Sequence, residues 1–159
     1  MSYYFDLFLN NEESKKLKDN LVFNALWTIY SSSLVSEFEY YLYNTDKLDL
    51  NNMQNKFDSL VYEFTYPYSF GVYNRDYLFS NISHIYTSPG YYFSYLTSII
   101  PSLQLYSSKD LEFSKKQYNE LLKYGTSNDF TYVLDQIDLL SPFEKKSIDK
   151  IVSKIKTDG

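Results

Sequence analysis

Apolar residues along this chain recur at steps of three and four, and this spacing predicts helices almost throughout. Residues 1–9 are apolar and aromatic and read as the tail of a helix, interrupted at Asn10-Asn11. Leu17, Leu21, Ala25 and Ile29 then follow at steps of four, broadened by Val22 and Leu26, and the stripe resumes beyond Ser31-Ser32-Ser33 with Leu34, Phe38 and Tyr41. One long helix from about residue 12 to 44 is expected, with Glu12 and Glu13 at its positive end and a bend at the serines. Asn44-Thr-Asp46 is a turn. Asp49 is a candidate N-cap for a helix carrying Met53, Phe57, Leu60, Val61 and Phe64, stopped at Tyr66-Pro67 because the residue before proline avoids the helical region. Residues 65–76 read as a loop with Gly71 and Asn74 as turn formers, followed by a short helix over Tyr77 to Ile85.

Beyond Pro89-Gly90, the positions Tyr92, Leu96, Ile99, Leu103 and Tyr106 form a seam that predicts a core-facing helix, kinked near 97–101 by Pro101. Ser107-Ser108 is expected to start a further helix with Leu111, Tyr118, Leu121 and Leu122 on one face and Gly125 at its end. Asn128 or Asp129 caps a short helix to about Gln136. Ser141-Pro142 reads as N-cap and first helical residue of the last helix, whose stripe is Ile148, Ile151, Val152 and Ile155, fraying from Lys156. No alternating run predicts a strand, and no repeat or composition shift marks a boundary. The expected fold is all-α, an irregular bundle of about six to eight helices in one domain over residues 1–159.

Composition narrows the function classes. A chain of 159 residues can bury a core, roughly 70% of its unfolded surface. Net charge is −5 without any clustered basic run, which argues against nucleic acid as partner. With no cysteine, disulfides and thiolate metal sites are excluded. The start, Met1-Ser-Tyr-Tyr-Phe-Asp-Leu7, lacks the basic and apolar regions of a signal peptide, and no apolar run approaches the about 18 residues a membrane span needs. A cytoplasmic chain with no membrane partner is expected. Only four glycines are present, few for a protein of tight hairpins.

The candidate chemistry sits at His84-Ile-Tyr-Thr-Ser-Pro-Gly-Tyr-Tyr-Phe-Ser-Tyr95, which holds the only histidine and four of the nineteen tyrosines. Tyr91 and Tyr95 are four apart, so their hydroxyls share a helix face, while Tyr92 belongs to the core seam. Two readings stand. His84 and a tyrosine hydroxyl donate hydrogen bonds to an oxygen gaining negative charge, or His84 is a hydrogen-bonded structural residue among packed aromatics. Gly90 lets backbone approach a ligand, or it starts a helix. Zinc ligation fails on counting, since a catalytic site takes three protein ligands and His84 is followed by Ile85 and Tyr86 instead of a second histidine motif. Glu37 and Glu39 flank Phe38 and point to different sides of a helix, unlike a paired-carboxylate site. There is no Gly-x-Ser-x-Gly elbow and no glycine-rich phosphate loop.

The run from His84 to Tyr95, followed by Ser102-Leu-Gln-Leu-Tyr106, resembles the C-terminal catalytic region of oligoendopeptidase F, one of the thimet-oligopeptidase-like zinc metallopeptidases. There the run reads about His-Ile-x-x-Ser-Pro-Phe-Tyr-Tyr-Ile-Asp-Tyr, then Ala-Leu-Gln-Leu-Trp. Ser36-Glu-Phe-Glu39 is similar to the family's Ala-Glu-Phe-Glu, Leu121-Leu-Lys-Tyr-Gly-Thr-Ser127 to its Leu-x-x-Gly-Gly-Ser, and Leu140-Ser-Pro-Phe143 to its closing segment. The resemblance implies an all-α part of a larger peptidase that cleaves short peptides with a zinc held by His-Glu-x-x-His and a later glutamate. It implies that His84, Tyr91 and Tyr95 act at the oxyanion, with Tyr92, Gly90 and Tyr86 as substrate contacts. Gly90 replaces the family's Phe, Ser94 stands where Asp is frequent, and Pro101 is unexpected. The zinc-binding helices would lie before residue 1. The expectation is therefore a C-terminal segment with no metal of its own, inactive alone, whose partners are short peptides and a chain carrying the zinc half, or a second copy of itself. The alternative is a non-catalytic helical interaction module.

Overall fold

Eight α-helices and one 3₁₀ turn, with no strand, are formed by the described residues. The structure is a computed structural model that describes residues 2–65, 78–108, 110–126 and 128–158, without the side chains of 2–4, 65 and 154–158. Of the loop expected over 65–76, Thr65 is instead the last residue of a helix, and the rest with Gly71 and Asn74, the Tyr66-Pro67 stop, Tyr77, and the Ile155 position of the last stripe lie outside that description. The helices are α1 (Ser2–Phe8), α2 (Asn11–Asn44), α3 (Leu50–Thr65), α4 (His84–Thr87), α5 (Tyr91–Tyr106), α6 (Leu111–Tyr124), α7 (Phe130–Gln136) and α8 (Lys145–Asp158), and the 3₁₀ turn is Leu78–Asn81. The all-α expectation holds. None of these helices is long and apolar enough to cross a membrane. The chain divides into two compact units, Leu26–Leu96 and Met1–Ala25 with Thr97–Gly159.

In the unit Leu26–Leu96 the core is aromatic. Leu34, Val35, Phe38 and Leu42 of α2 cluster with Phe57, Leu60 and Val61 of α3, and with Phe79 and Ile85. Phe38 is fully buried. Its ring meets Phe57 edge-on at 5.1 Å and Phe79 at a tilt at 5.2 Å. Such pairs contribute about 0.5–1.5 kcal/mol each beyond the burial of the rings. Asp49 caps α3 as its sequence implies, its Oδ1 accepting from the Asn52 N–H at 2.9 Å. The short helix expected to end at Ile85 is instead split into the 3₁₀ turn and α4, because Ile82 and Ile85 close tight turns onto Phe79 and Ile82.

In the other unit, α2 starts at a reciprocal cap where the Asn10-Asn11 step by itself predicts only an interruption. The Glu13 N–H donates to Asn10 Oδ1 at 3.0 Å, and the Asn10 N–H reaches back to Glu13 Oε2 at 3.4 Å. Asp6 of α1 accepts from Lys18 Nζ at 2.6 Å and from the Ser14 hydroxyl, and these two partners hold its carboxyl below the usual carboxylate range. Leu134, Ile137 and Leu139 form a second core against Leu105, Leu121 and Tyr124. Gln104, buried on α5, donates through Nε2 to the Leu140 carbonyl at 2.7 Å and accepts the Leu140 N–H on Oε1 at 2.9 Å. The side chain thus pairs with the connector as a neighbouring strand would.

Several expected faces are corrected. On α5 the buried positions are Ile100, Pro101, Leu103 and Gln104, not Ile99 and Tyr106, because the inward face is turned toward the side where Gln104 finds Leu140. Pro101 lies inside α5, as the sequence places it, and is itself buried. Helix α6 starts after Asp110, whose carboxylate accepts from the Phe113 N–H at 2.9 Å, and not at Ser107-Ser108. Tyr118 and Leu122 are exposed and Gln117 is buried in their place. Helix α8 begins at Lys145, not Ser141, because Ser141 closes local turns onto Phe143 and Glu144. Ile151 is buried there, whereas Ile148 and Val152 are exposed. Leu17, Leu21 and Leu26 of α2 are exposed as well, while Ala25 is buried.

Candidate functional site

The stretch from His84 to Tyr95 folds as one turn of helix, a tight turn, and the start of α5. Two anchors place α4. Ile85 is buried in the aromatic core, and its carbonyl accepts from the Tyr43 hydroxyl at 2.9 Å. With Ile85 pointing in, His84 and Tyr86 on either side are left at the surface, His84 half-buried and Tyr86 half-exposed. The helix closes as the Ser88 N–H returns to the His84 carbonyl at 2.9 Å, and the next turn closes as the Tyr91 N–H reaches the Ser88 carbonyl at 3.1 Å. Gly90 takes φ +79° in between, a left-handed conformation that costs a side-chain-bearing residue about 1–2 kcal/mol. A Cβ there would meet nothing within 4 Å, so the glycine answers to backbone conformation and not to crowding.

This turn brings four candidate residues together. The His84 imidazole stacks on the Tyr91 ring, centroids 4.5 Å apart and planes 8° from parallel, and meets Tyr92 edge-on at 5.8 Å. Tyr95 lies edge-on to Tyr91 at 5.0 Å and to Tyr92 at 5.9 Å. Tyr92 packs on the aromatic core, as the seam spacing implies, and holds the others from behind. Tyr91 and Tyr95 are 41% and 43% exposed, enough for a ligand to reach both hydroxyls. Tyr86 stands on the other side of Ile85, and neither His84 nor Tyr91 has a described ring contact with it.

The hydroxyls are ordered. Tyr95 Oη donates to Tyr91 Oη at 2.9 Å. Losing that proton would break the bond, and this, with a smaller contribution from burial, raises the Tyr95 phenol above its ordinary range. Tyr91, having accepted one hydrogen bond, keeps its own O–H for another acceptor, and a donor that itself accepts is polarised by the bond. The Tyr86 phenol is also raised, first by burial and then by the neighbouring Tyr43 phenol.

Gly90 enters the site as a turn former, since its N–H is committed to Glu39 Oε1 at 3.1 Å. In the sequence Glu39 stands out as half of a mismatched acidic pair and as the last residue of the Ser36-Glu-Phe-Glu39 run, and neither points to the Gly90 turn. The structure separates that pair: Glu39 is buried and Glu37 exposed. Elsewhere, an open polar depression of about 420 Å³ is lined by Thr126, which lies in the Leu121–Ser127 run, and by Asn128, Asp129 and Tyr132. Among the described residues no group of three or more His, Cys, Asp or Glu side chains converges on a point that could hold a metal.

No family model and no curated protein matches the chain. Solved structures do. An oligoendopeptidase F structure superposes with a TM-score of 0.82 at 22% identity, over 98% of this chain and 28% of that one. PZ peptidase A, solved with an inhibitor, superposes with a TM-score of 0.80 at 23% identity, again over 98% of this chain and 28% of its own. The chain thus spans a little over a quarter of each. The likeness to oligoendopeptidase F carried by the His84–Tyr95 run is a likeness of fold as well: eight helices that superpose, over nearly their whole length, on part of two peptidases.

Proposed function

We propose that this chain supplies the peptide-holding, carbonyl-polarising side of an oligoendopeptidase-like site. The observation that supports it is the directed pair Tyr95 to Tyr91, backed by His84 on the Tyr91 face. In this reading a peptide lies over the exposed edge of the cluster, and the Tyr91 hydroxyl donates to a peptide carbonyl oxygen. Tyr95 orients and polarises Tyr91. His84 limits the rotation of the Tyr91 ring and offers a ring nitrogen to the same oxygen or its neighbour. Tyr92 is the packed platform, and Tyr86 is a flanking contact for the peptide. As charge grows on the carbonyl oxygen during attack by water, a donor already in place strengthens its bond, which is how such groups favour a transition state over bound substrate. In this reading activation of the water falls to groups outside this cluster, and zinc is the group that the resemblance of the His84–Tyr95 run would imply for it.

The test uses the sole histidine as reporter. Titrating an unlabelled short peptide into the labelled chain should move the His84 imidazole resonance saturably. Tyr91→Phe should weaken binding by about two- to tenfold, the worth of one neutral hydrogen bond of about 0.5–1.5 kcal/mol. Absence of a saturable shift at millimolar peptide refutes the reading. So does tight stoichiometric zinc binding, or peptidase activity in the purified chain that a Tyr91→Phe, His84→Ala preparation lacks.

A second reading, a helical interaction module, is favoured by Leu7 and Phe8 of α1, 71% and 81% exposed, and by exposed Leu17, Leu21 and Phe23 of α2. Exposed apolar surface of this kind usually finds a covering. Light scattering on the purified chain decides: a dimer dispersed by Leu21→Glu supports the module, and a monomer removes it.

A further inference from the structure

We infer that Glu39 is a positioning residue for the Tyr91–Tyr95 pair, acting from α2 as a borrowed N-cap of α5. Three observations converge. Glu39 is 5% exposed, and carboxylates are seldom buried without a task for their charge. Its Oε1 accepts the N–H of Gly90, fifty-one residues away in sequence, at the start of the helix that bears Tyr91, Tyr92 and Tyr95. That residue is also the one in left-handed conformation, so the carboxylate grips the most adaptable link between α4 and α5.

The physical case is that of a helix start. The first N–H groups of a helix have no partner inside it, and their summed dipoles place partial positive charge there. Local caps come from Ser, Thr, Asp or Asn just before the helix. Here that position is Gly90, which has no side chain, and Ser88 gives its carbonyl to the Tyr91 N–H. Glu39 does from another helix what the third-residue glutamate of a capping box does locally, accepting the N–H of the N-cap residue itself. A local cap would fix only the start of α5, whereas a cap lent by α2 also fixes where that start stands relative to the core. Because α2 anchors α4 as well, through the Tyr43 bond to the Ile85 carbonyl, one helix sets both halves of the cluster: His84 through Tyr43, and Tyr91 through Glu39. The 4.5 Å stack of His84 on Tyr91 follows from these two grips.

The role is stated for the peptide-binding reading and rests on it, yet its geometric part can be tested without any peptide. Stacked on the Tyr91 ring, the His84 imidazole protons should resonate upfield of their value in an unstructured chain. Glu39→Ala should return them most of the way to that value while helix content by circular dichroism stays near wild type. Glu39→Gln, which keeps an acceptor oxygen, should retain most of the upfield shift, and this rescue separates positioning from mere loss of stability. Glu39→Asp, with the carboxylate withdrawn by one methylene, should fall between them and serves if Glu39→Ala does not fold. An unchanged His84 resonance in folded Glu39→Ala, or in folded Glu39→Asp, overturns the inference. If peptide binding fails in the wild type while the resonance responds as described, the positioning role stands and the peptide reading falls. If peptide binds and the resonance does not respond, the reverse holds.

Discussion

Gln104→Leu is the substitution whose cost can be worked most directly from the structure. Gln104 is 6% exposed, and its amide meets both backbone groups of Leu140, Nε2 to the carbonyl at 2.7 Å and Oε1 from the N–H at 2.9 Å. Leucine has nearly the same volume and removes the polar side-chain atoms, so no cavity and no buried amide is left behind. What remains is a Leu140 N–H and carbonyl without partners. A buried polar group left unmet costs about 1–3 kcal/mol. Leu140 is half-buried, so water reaches part of it, and the lower half of the range applies to the two groups together, about 2–4 kcal/mol. At about 1.4 kcal/mol per factor of ten, the folded fraction should drop some 30- to 1000-fold relative to unfolded. Urea unfolding followed by circular dichroism measures this as a lower midpoint at unchanged slope. Ser102→Ala is the control on the same helix, because its hydroxyl only bonds back to the Ser98 carbonyl, and it should stay within about 0.5 kcal/mol of wild type. Gln104→Glu adds a signature. A carboxylate can accept the Leu140 N–H but cannot donate to the carbonyl, whereas the protonated acid can do both. The folded state therefore raises the introduced group's pKa above its unfolded value. Its contribution to stability is present below the ordinary glutamate range and is lost as pH rises through the raised value. A Gln104→Leu protein within about 0.5 kcal/mol of wild type would falsify the reasoning, as would a Gln104→Glu protein no steadier in acid than Gln104→Leu.

Phe38→Ala should cost about 3–5 kcal/mol in thermal or urea unfolding, since it removes a fully buried ring packed on Phe57 and Phe79. Phe38→Leu should cost distinctly less, and equal losses would place the ring outside the core. The Tyr95 phenol should titrate above the ordinary tyrosine range, and Tyr91→Phe should bring it down by deleting the acceptor. Because the folded pKa is the higher one, the bond stabilises the protein below the ordinary phenol range and the contribution fades as pH climbs through the raised value. Tyrosine ring-carbon resonances assigned in both proteins read it directly, and a Tyr95 titration indifferent to Tyr91→Phe refutes the donor–acceptor order.

Much of this molecule was legible before folding because the information was local. Steps of three and four from Leu34 to Phe38 and from Phe57 to Val61 identify helix faces, since side-chain direction follows backbone period without help from a partner. Asp49 and Gly125 mark helix ends for equally local reasons, one by accepting an N–H nearby and the other by adopting positive φ. The four-residue spacing of Tyr91 and Tyr95 placed their hydroxyls on one face, and the resemblance of the His84 run pointed to fold relatives that superposition bears out.

What the sequence could not carry was which of several apolar or polar side chains a helix turns inward. Periodicity alone favours Ile99 over Ile100 on α5 and makes Ile148 and Val152 equal to Ile151 on α8. Exposure of Leu17, Leu21 and Leu26 shows the same limit, because a stripe states a capacity for burial and packing decides its use. Gln104 and Glu39 are of residue types found mostly at protein surfaces, yet both are buried. Their partners, the backbone of Leu140 and of Gly90, lie 36 and 51 residues away. Sequence by itself therefore determined the helices, the absence of thiol chemistry, and the aromatic face. Tertiary structure alone decided that His84 stacks on Tyr91 and that a carboxylate from α2 grips the turn between them, because contacts between distant segments exist only after the chain has brought them within hydrogen-bond reach.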